Sequence, residues 1–128
     1  MRTVTDANGH TTSFSFNDNY SDGQNRNSYA FATAITNALN QQQTIKYDYG
    51  SGKLSSATDL NGKQTTSVNN DSLDRVTQVV QPTGAQTNIQ YQAPTWTIVY
   101  QDQNTPGDRA HQSQSVYDGF GRILEQRT

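Results

Sequence analysis

The chain has 128 residues, 30% of them hydrophobic, a formal net charge of −2 and no cysteine. That length allows one domain burying about 65–70% of its unfolded surface, yet Leu, Ile, Val and Phe total only 21 residues, which argues against a deep closed core. Absent thiols exclude a disulfide framework and a thiolate metal site, nine unclustered cations against eleven anions give no footprint for nucleic acid or anionic lipid, and no apolar run reaches a membrane span or a signal peptide.

Asn, Gln, Ser and Thr supply 55 residues and Tyr adds seven. Threonine and tyrosine favour strands, while asparagine and glycine favour turns. The composition therefore predicts an all-β chain whose sheet has two largely polar faces.

In chain order, Val4-Thr5 is a strand, Asp6 to Gly9 a tight turn and Thr12 to Phe16 an alternating strand. Gly9 is expected at positive φ, and the Asp6 carboxylate is expected to accept hydrogen bonds from turn amides. Residues 17–27, with Asp18, Tyr20, Asp22 and Gly23, read as a long loop. Counted from Asp18 as a calcium loop, the sixth position is Gly23, but the third is Tyr20 and the twelfth Tyr29, where oxygen ligands are needed. Tyr29, Phe31, Thr33 and Ile35 alternate, which predicts a strand over 29–36. A turn at 37–40 follows, with Asn40 in the place of glycine because asparagine tolerates the left-handed region.

From Lys53 the cycle is more regular. Strands are expected at Leu54 to Thr58, Gln64 to Asn69, Val76 to Gln81, Gln86 to Gln92, Thr95 to Tyr100, His111 to Tyr117 and Ile123 to Glu125. Turns begin at Asp59 and contain Gly62, or run through Pro82-Thr83-Gly84, and a loop covers Asn104 to Asp108. Trp96, Ile98 and Tyr100 share one strand face.

Two motifs recur along this cycle. Tyr117-Asp118-Gly119-Phe120-Gly121-Arg122-Ile123 is a corner of aromatic, Asp, glycine-rich turn, cation and aliphatic. Tyr47-Asp48-Tyr49-Gly50-Ser51-Gly52-Lys53-Leu54 repeats it with one more turn residue, and Asn70-Asp71-Ser72-Leu73-Asp74-Arg75-Val76 repeats it with Asn for Tyr. The second motif, Gly84 followed by Thr87, Ile89 and Tyr91, has counterparts after Gly9 and after Asn40, and a slipped copy at Asp59 to Val68. Residues before the corner fall at Phe16, Tyr47, Asn70, Tyr91 and Tyr117, at spacings of 31, 23, 21 and 26, which points to a stacked array.

This pattern resembles the YD-repeat, or RHS-repeat, family of bacterial polymorphic-toxin shells, insecticidal toxin-complex shells and teneurins, over nearly the whole chain. The resemblance implies antiparallel β-hairpin repeats forming a curved or spiralling sheet that encloses another polypeptide. It makes residues 1–128 a single repeat region, a piece of a larger shell that is secreted or at the cell surface. Its partners would be neighbouring repeats, the enclosed cargo and, through open sheet edges, other copies. The family's Asp-Pro-containing C-terminal segment has no counterpart here, since no Asp-Pro dipeptide occurs.

No enzyme signature competes with this reading. Each of the ten Asp residues sits at a turn, a corner or a loop, Glu125 is the only glutamate, and His10 and His111 lack ligand spacing, so no catalytic, metal or cofactor residue is assigned. Lys53, Arg75 and Arg122 are expected to pair with their own corner Asp or lie over an aromatic ring. Phe16, Tyr47, Tyr91 and Tyr117 are expected to stack as a cross-strand ladder. The other function class is a carbohydrate-binding or adhesive module, for which Trp96 and Tyr100 are the candidate platform.

Overall fold

Recurring Asp, Asn and Gly turns cut the chain into extended runs of three to seven residues, each too short to bury much and each ending where the backbone reverses. A computed structural model describes residues 1–69, 71–92 and 95–128. Eleven strands follow one another: β1 Arg2–Thr5, β2 Thr11–Ser15, β3 Ala34–Thr36, β4 Gln42–Tyr47, β5 Leu54–Thr58, β6 Gln64–Asn69, β7 Val76–Val80, β8 Gln86–Gln92, β9 Trp96–Gln101, β10 His111–Tyr117 and β11 Ile123–Arg127. They form one antiparallel sheet in which every strand lies beside its sequence neighbours, and no helix occurs among the described residues. Asn70, the corner residue preceding Asp71, lies outside the described residues.

The chain divides into two compact units, Met1–Thr66 and Ser67–Thr128. In the first, β1 to β5 pair in succession and the start of β6 pairs with β5 through Ser56↔Thr66 and Thr58↔Gln64. In the second, β8 pairs with β7 and β9, and β10 with β9 and β11. Burial is sparse. Among the described residues only Tyr20, Thr33 and Ser56 in the first unit and Asn88 in the second are buried. Low hydrophobic content thus yields sheet pairing with almost no closed core.

The 29–36 strand is shorter than its alternation predicts, because only Ala34–Thr36 pairs. Tyr29 adopts a φ of 49°, which breaks an extended run, and the Asp18 carboxylate accepts hydrogen bonds from the amides of Arg26, Ser28 and Tyr29. The loop after β2 therefore runs from residue 16 to 33 rather than over 17–27. Small shifts occur elsewhere. Gln81 leaves β7 to open the next turn, and β11 continues past Glu125 to Arg127.

Candidate functional site

The corners and glycine turns, read as two motifs in the sequence, are one structure. In each of five turns a side-chain oxygen of residue i accepts the amides of residues i+2 and i+4. The donors are Asn8 and His10 to Asp6, Leu39 and Gln41 to Asn37, Asn61 and Lys63 to Asp59, Leu73 and Arg75 to Asp71, and Phe120 and Arg122 to Asp118, at 2.6–3.1 Å. The i+3 amide returns to the carbonyl of i, and residue i+3 takes a left-handed φ: 84° at Gly9, 60° at Asn40, 75° at Gly62, 54° at Asp74 and 79° at Gly121. That geometry explains why Gly, Asn or Asp stands there.

The Gln81 turn keeps the same backbone bonds, with Gly84 at 87°, but lacks the carboxylate. The Asp48 corner has one more residue. Ser51 donates to the Asp48 carboxylate through both amide and hydroxyl at 2.8 Å, and Gly52 takes the positive φ before Lys53. A compact signature, Asp or Asn, two residues, then Gly, Asn or Asp followed by His, Gln, Lys or Arg, was available in the sequence and unites motifs that alignment on tyrosine had separated.

The residue at i+4 closes the turn a second time. Arg122 Nε donates to Asp118 at 2.6 Å, Arg75 Nε pairs with Asp71, and His10 Nδ1 lies 3.1 Å from Asp6. Both expected modes occur together at Arg75, whose guanidinium also lies 3.9 Å from the centre of the Tyr91 ring. At Arg122 the ring beneath is Phe120, at 5.6 Å. The carboxyls respond. The His10 amide, then its ring, holds Asp6 below the usual range, the Arg122 amide does so at Asp118 and the Ser51 amide at Asp48. At Asp71 desolvation pushes upward, but the Arg75 amide and guanidinium outweigh it.

The aromatic ladder does not form. Tyr91 lies in β8 and Tyr117 ends β10, so β9 intervenes and the separation is at least two strand spacings, ~9.6 Å. Ring pairs need 4.5–7 Å. Three of the four rings instead meet something else: Arg2 at Phe16, Phe31 stacked on Tyr47 at 4.4 Å, and Arg75 at Tyr91. Two tyrosines also reach back fifteen residues, Tyr47 to the Ala32 carbonyl and Tyr91 to that of Val76. At Tyr47 and at Tyr117 the strand register slips by one residue, which turns the chain into its corner.

Loop 16–33 caps the Tyr47 corner, which sequence reasoning missed. The Tyr47 amide donates to the Asn19 carbonyl at 3.0 Å and its carbonyl accepts the Ser21 amide at 2.7 Å. Tyr20, only 5% exposed, sets its ring edge-on to Tyr49 at 5.2 Å and bonds Ser28 through its hydroxyl. Arg26 covers Tyr49 at 3.9 Å while paired with Asp22. The available signal was the density of aromatic residues in the loop.

Within the second unit a groove of about 610 Å³ is lined by Leu73, Arg75, Tyr91, Trp96, Tyr117 and Asp118. Trp96 and Tyr100 share a strand face, as expected, but Tyr100 lies outside this groove, beneath Arg109 at 5.8 Å. The structure does not gather the two into one cavity. Among the described residues no group of three or more His, Cys, Asp or Glu is placed to hold a metal ion. Asp102 and Asp108 instead fold the β9–β10 loop, Asp102 by accepting the amides of Gln86, Gly107 and Arg109, and Asp108 those of residues 103–105 and Ala110. Among the described residues no helix is long and apolar enough to cross a membrane.

No family model matches the chain, and no curated protein matches it either.

Proposed function

We propose that this chain is a non-enzymatic wall segment of a YD-repeat, or RHS-repeat, shell. Its sheet would continue through neighbouring repeats of a secreted or cell-surface parent and enclose or present a cargo polypeptide. The observation that carries this reading is the recurrence of one carboxylate-closed turn, with tyrosine before it and a cation after it at the tyrosine corners. A chain built from one hairpin unit, each strand touching only its sequence neighbours, suits extension rather than a closed catalytic site. Sparse burial supports the same reading, since contact with adjacent repeats supplies what an isolated core does not.

Size-exclusion chromatography with light scattering, joined to far-ultraviolet circular dichroism over a concentration series, tests it. Strand signal that grows with assembly supports a wall segment. A folded monomer with concentration-independent strand content contradicts it.

A further inference from the structure

The shared turn occurs twice with asparagine and glycine at its tip, in Asp6-Ala7-Asn8-Gly9-His10 and in Asp59-Leu60-Asn61-Gly62-Lys63. Asparagine before glycine is the pair in which a backbone nitrogen most readily attacks a side-chain amide, because glycine has no Cβ to crowd the approach. Space around both glycines is open, since a Cβ at either would meet no atom within 4 Å. Both asparagines are exposed, and neither side-chain amide makes a hydrogen bond among the described residues.

The turn opposes this reaction at the atom that would start it. The Gly9 amide donates to the Asp6 carbonyl at 3.1 Å and the Gly62 amide to that of Asp59 at 3.0 Å, so the nitrogen that must lose its proton holds it in a hydrogen bond. The amides on either side are held by a carboxylate, Asn8 and His10 by Asp6, and Asn61 and Lys63 by Asp59, at 2.8–2.9 Å. Attack therefore requires the turn to open locally. Asn37 makes the contrast. It stands at the first position of the same turn, where its Oδ1 accepts the amides of Leu39 and Gln41, its Nδ2 donates to the Gln41 side chain and Ala38 follows it.

We propose that Asn8 and Asn61 are sites of spontaneous conversion to aspartate and isoaspartate, and that the carboxylate-closed turn sets the rate. The glycine nitrogen gives up its proton and bonds to the asparagine Cγ. The Cγ–Nδ2 bond breaks, and the amide leaves with that proton as ammonia. Water then opens the succinimide: cleavage at Cγ leaves aspartate, and cleavage at the backbone carbonyl leaves isoaspartate, with the chain running through Cγ. Either product places a new carboxylate two residues from Asp6 or Asp59. Isoaspartate also lengthens the backbone of a turn that sets the register of its hairpin. The inference does not rest on the shell reading.

The test keeps the full chain at mildly alkaline pH, folded or in guanidinium chloride, and follows tryptic peptides by mass spectrometry. Cleavage after Lys53 and Lys63 yields peptide 54–63, whose only asparagine is Asn61, and fragmentation locates Asn8 and Asn37 in theirs. Replacement of the side-chain amide by a carboxyl marks conversion, and labelling by an isoaspartyl methyltransferase counts the isoaspartate. In denaturant Asn8 and Asn61 are expected to convert well ahead of Asn37, and in the folded chain about tenfold or more slower than in denaturant. Asp59→Ala is expected to bring Asn61 close to its denatured rate while Asn8 keeps its folded rate. Asp59→Asn supplies the acceptor that Asn37 supplies in its own turn, and is expected to keep Asn61 protected. No conversion at Asn61 in denaturant overturns the proposal, as do equal rates in the folded and denatured chain or an Asn61 rate that Asp59→Ala leaves unchanged. If Asp59→Ala releases Asn8 as well, the Asp59→Asn chain decides: protection kept at Asn61 supports the proposal, and protection lost there while Asn8 stays protected overturns it.

Discussion

Tyr47, which leads into a carboxylate-closed corner, and Tyr91, which does not, end with different surroundings. At Tyr47 an eighteen-residue loop, residues 16–33, lays Phe31 on the ring and buries Tyr20 behind it, whereas at Tyr91 the Arg75 guanidinium lies 3.9 Å from the ring centre. At Tyr47 the Asp48 carboxylate fixes the turn that follows. What lies over the ring is supplied by whichever segment arrives there, so a repeat of this kind tolerates variation in its caps while its turns stay alike.

The largest expected effect breaks the capped corner. Tyr20→Ala removes a buried ring, its contact with Tyr49 and its bond to Ser28, and is expected to cost about 3 kcal/mol in denaturant unfolding. Loss of less than about 1 kcal/mol would show that the loop merely lies on the sheet. Next comes the shared turn. Gly121→Ala meets no atom within 4 Å, so its cost is purely that of holding alanine at φ 79°, about 1 kcal/mol by thermal unfolding. Asn40→Gly at the same turn position is expected to be neutral or slightly stabilising.

Acid sharpens the comparison between loops and corners. Desolvation raises Asp18, yet the Ser28 hydroxyl with the amides of Ser28, Arg26 and Tyr29 brings it to about 2, and the amides of Thr105, Asn104 and Ala110 hold Asp108 at about 2. Both folded values lie below the unfolded carboxyl value near ~3.9. Their stabilisation is therefore complete above about pH 4 and lost as the pH falls from there to about 2. A melting temperature that stays level across that interval contradicts these bonds. The smallest effect belongs to the open groove, where Leu73→Glu on an exposed side chain is expected to change stability by no more than about 0.5 kcal/mol.

Strands and turns were legible because they are local. Asp118 with Gly121 and Asp59 with Gly62 announce a reversal within five residues, and Gln64 to Asn69 or His111 to Tyr117 then has no choice but to extend. Residues 29–33 were not legible because their alternation serves a cluster rather than a strand. Asp18 gathers amides eight to eleven residues away, and no periodicity encodes that. The aromatic ladder failed on geometry that can be worked out beforehand, since corners on every second strand put their rings too far apart to stack. Trp96 and Tyr100, four positions apart along β9, sit ~13 Å from each other for the same kind of reason.

Amide hydrogen exchange at the i+4 positions, His10, Gln41, Lys63, Arg75 and Arg122, tests the central claim that one turn, closed by the side-chain oxygen of an Asp or Asn, repeats along the chain. All five amides are expected to be protected at neutral pH. On acidification protection is expected to fall at His10, Arg75 and Arg122, whose acceptors Asp6, Asp71 and Asp118 titrate, while Gln41, held by the amide oxygen of Asn37, keeps its protection until the sheet itself unfolds. Free exchange of these amides at neutral pH, or five unrelated rates with Gln41 falling first, would contradict it.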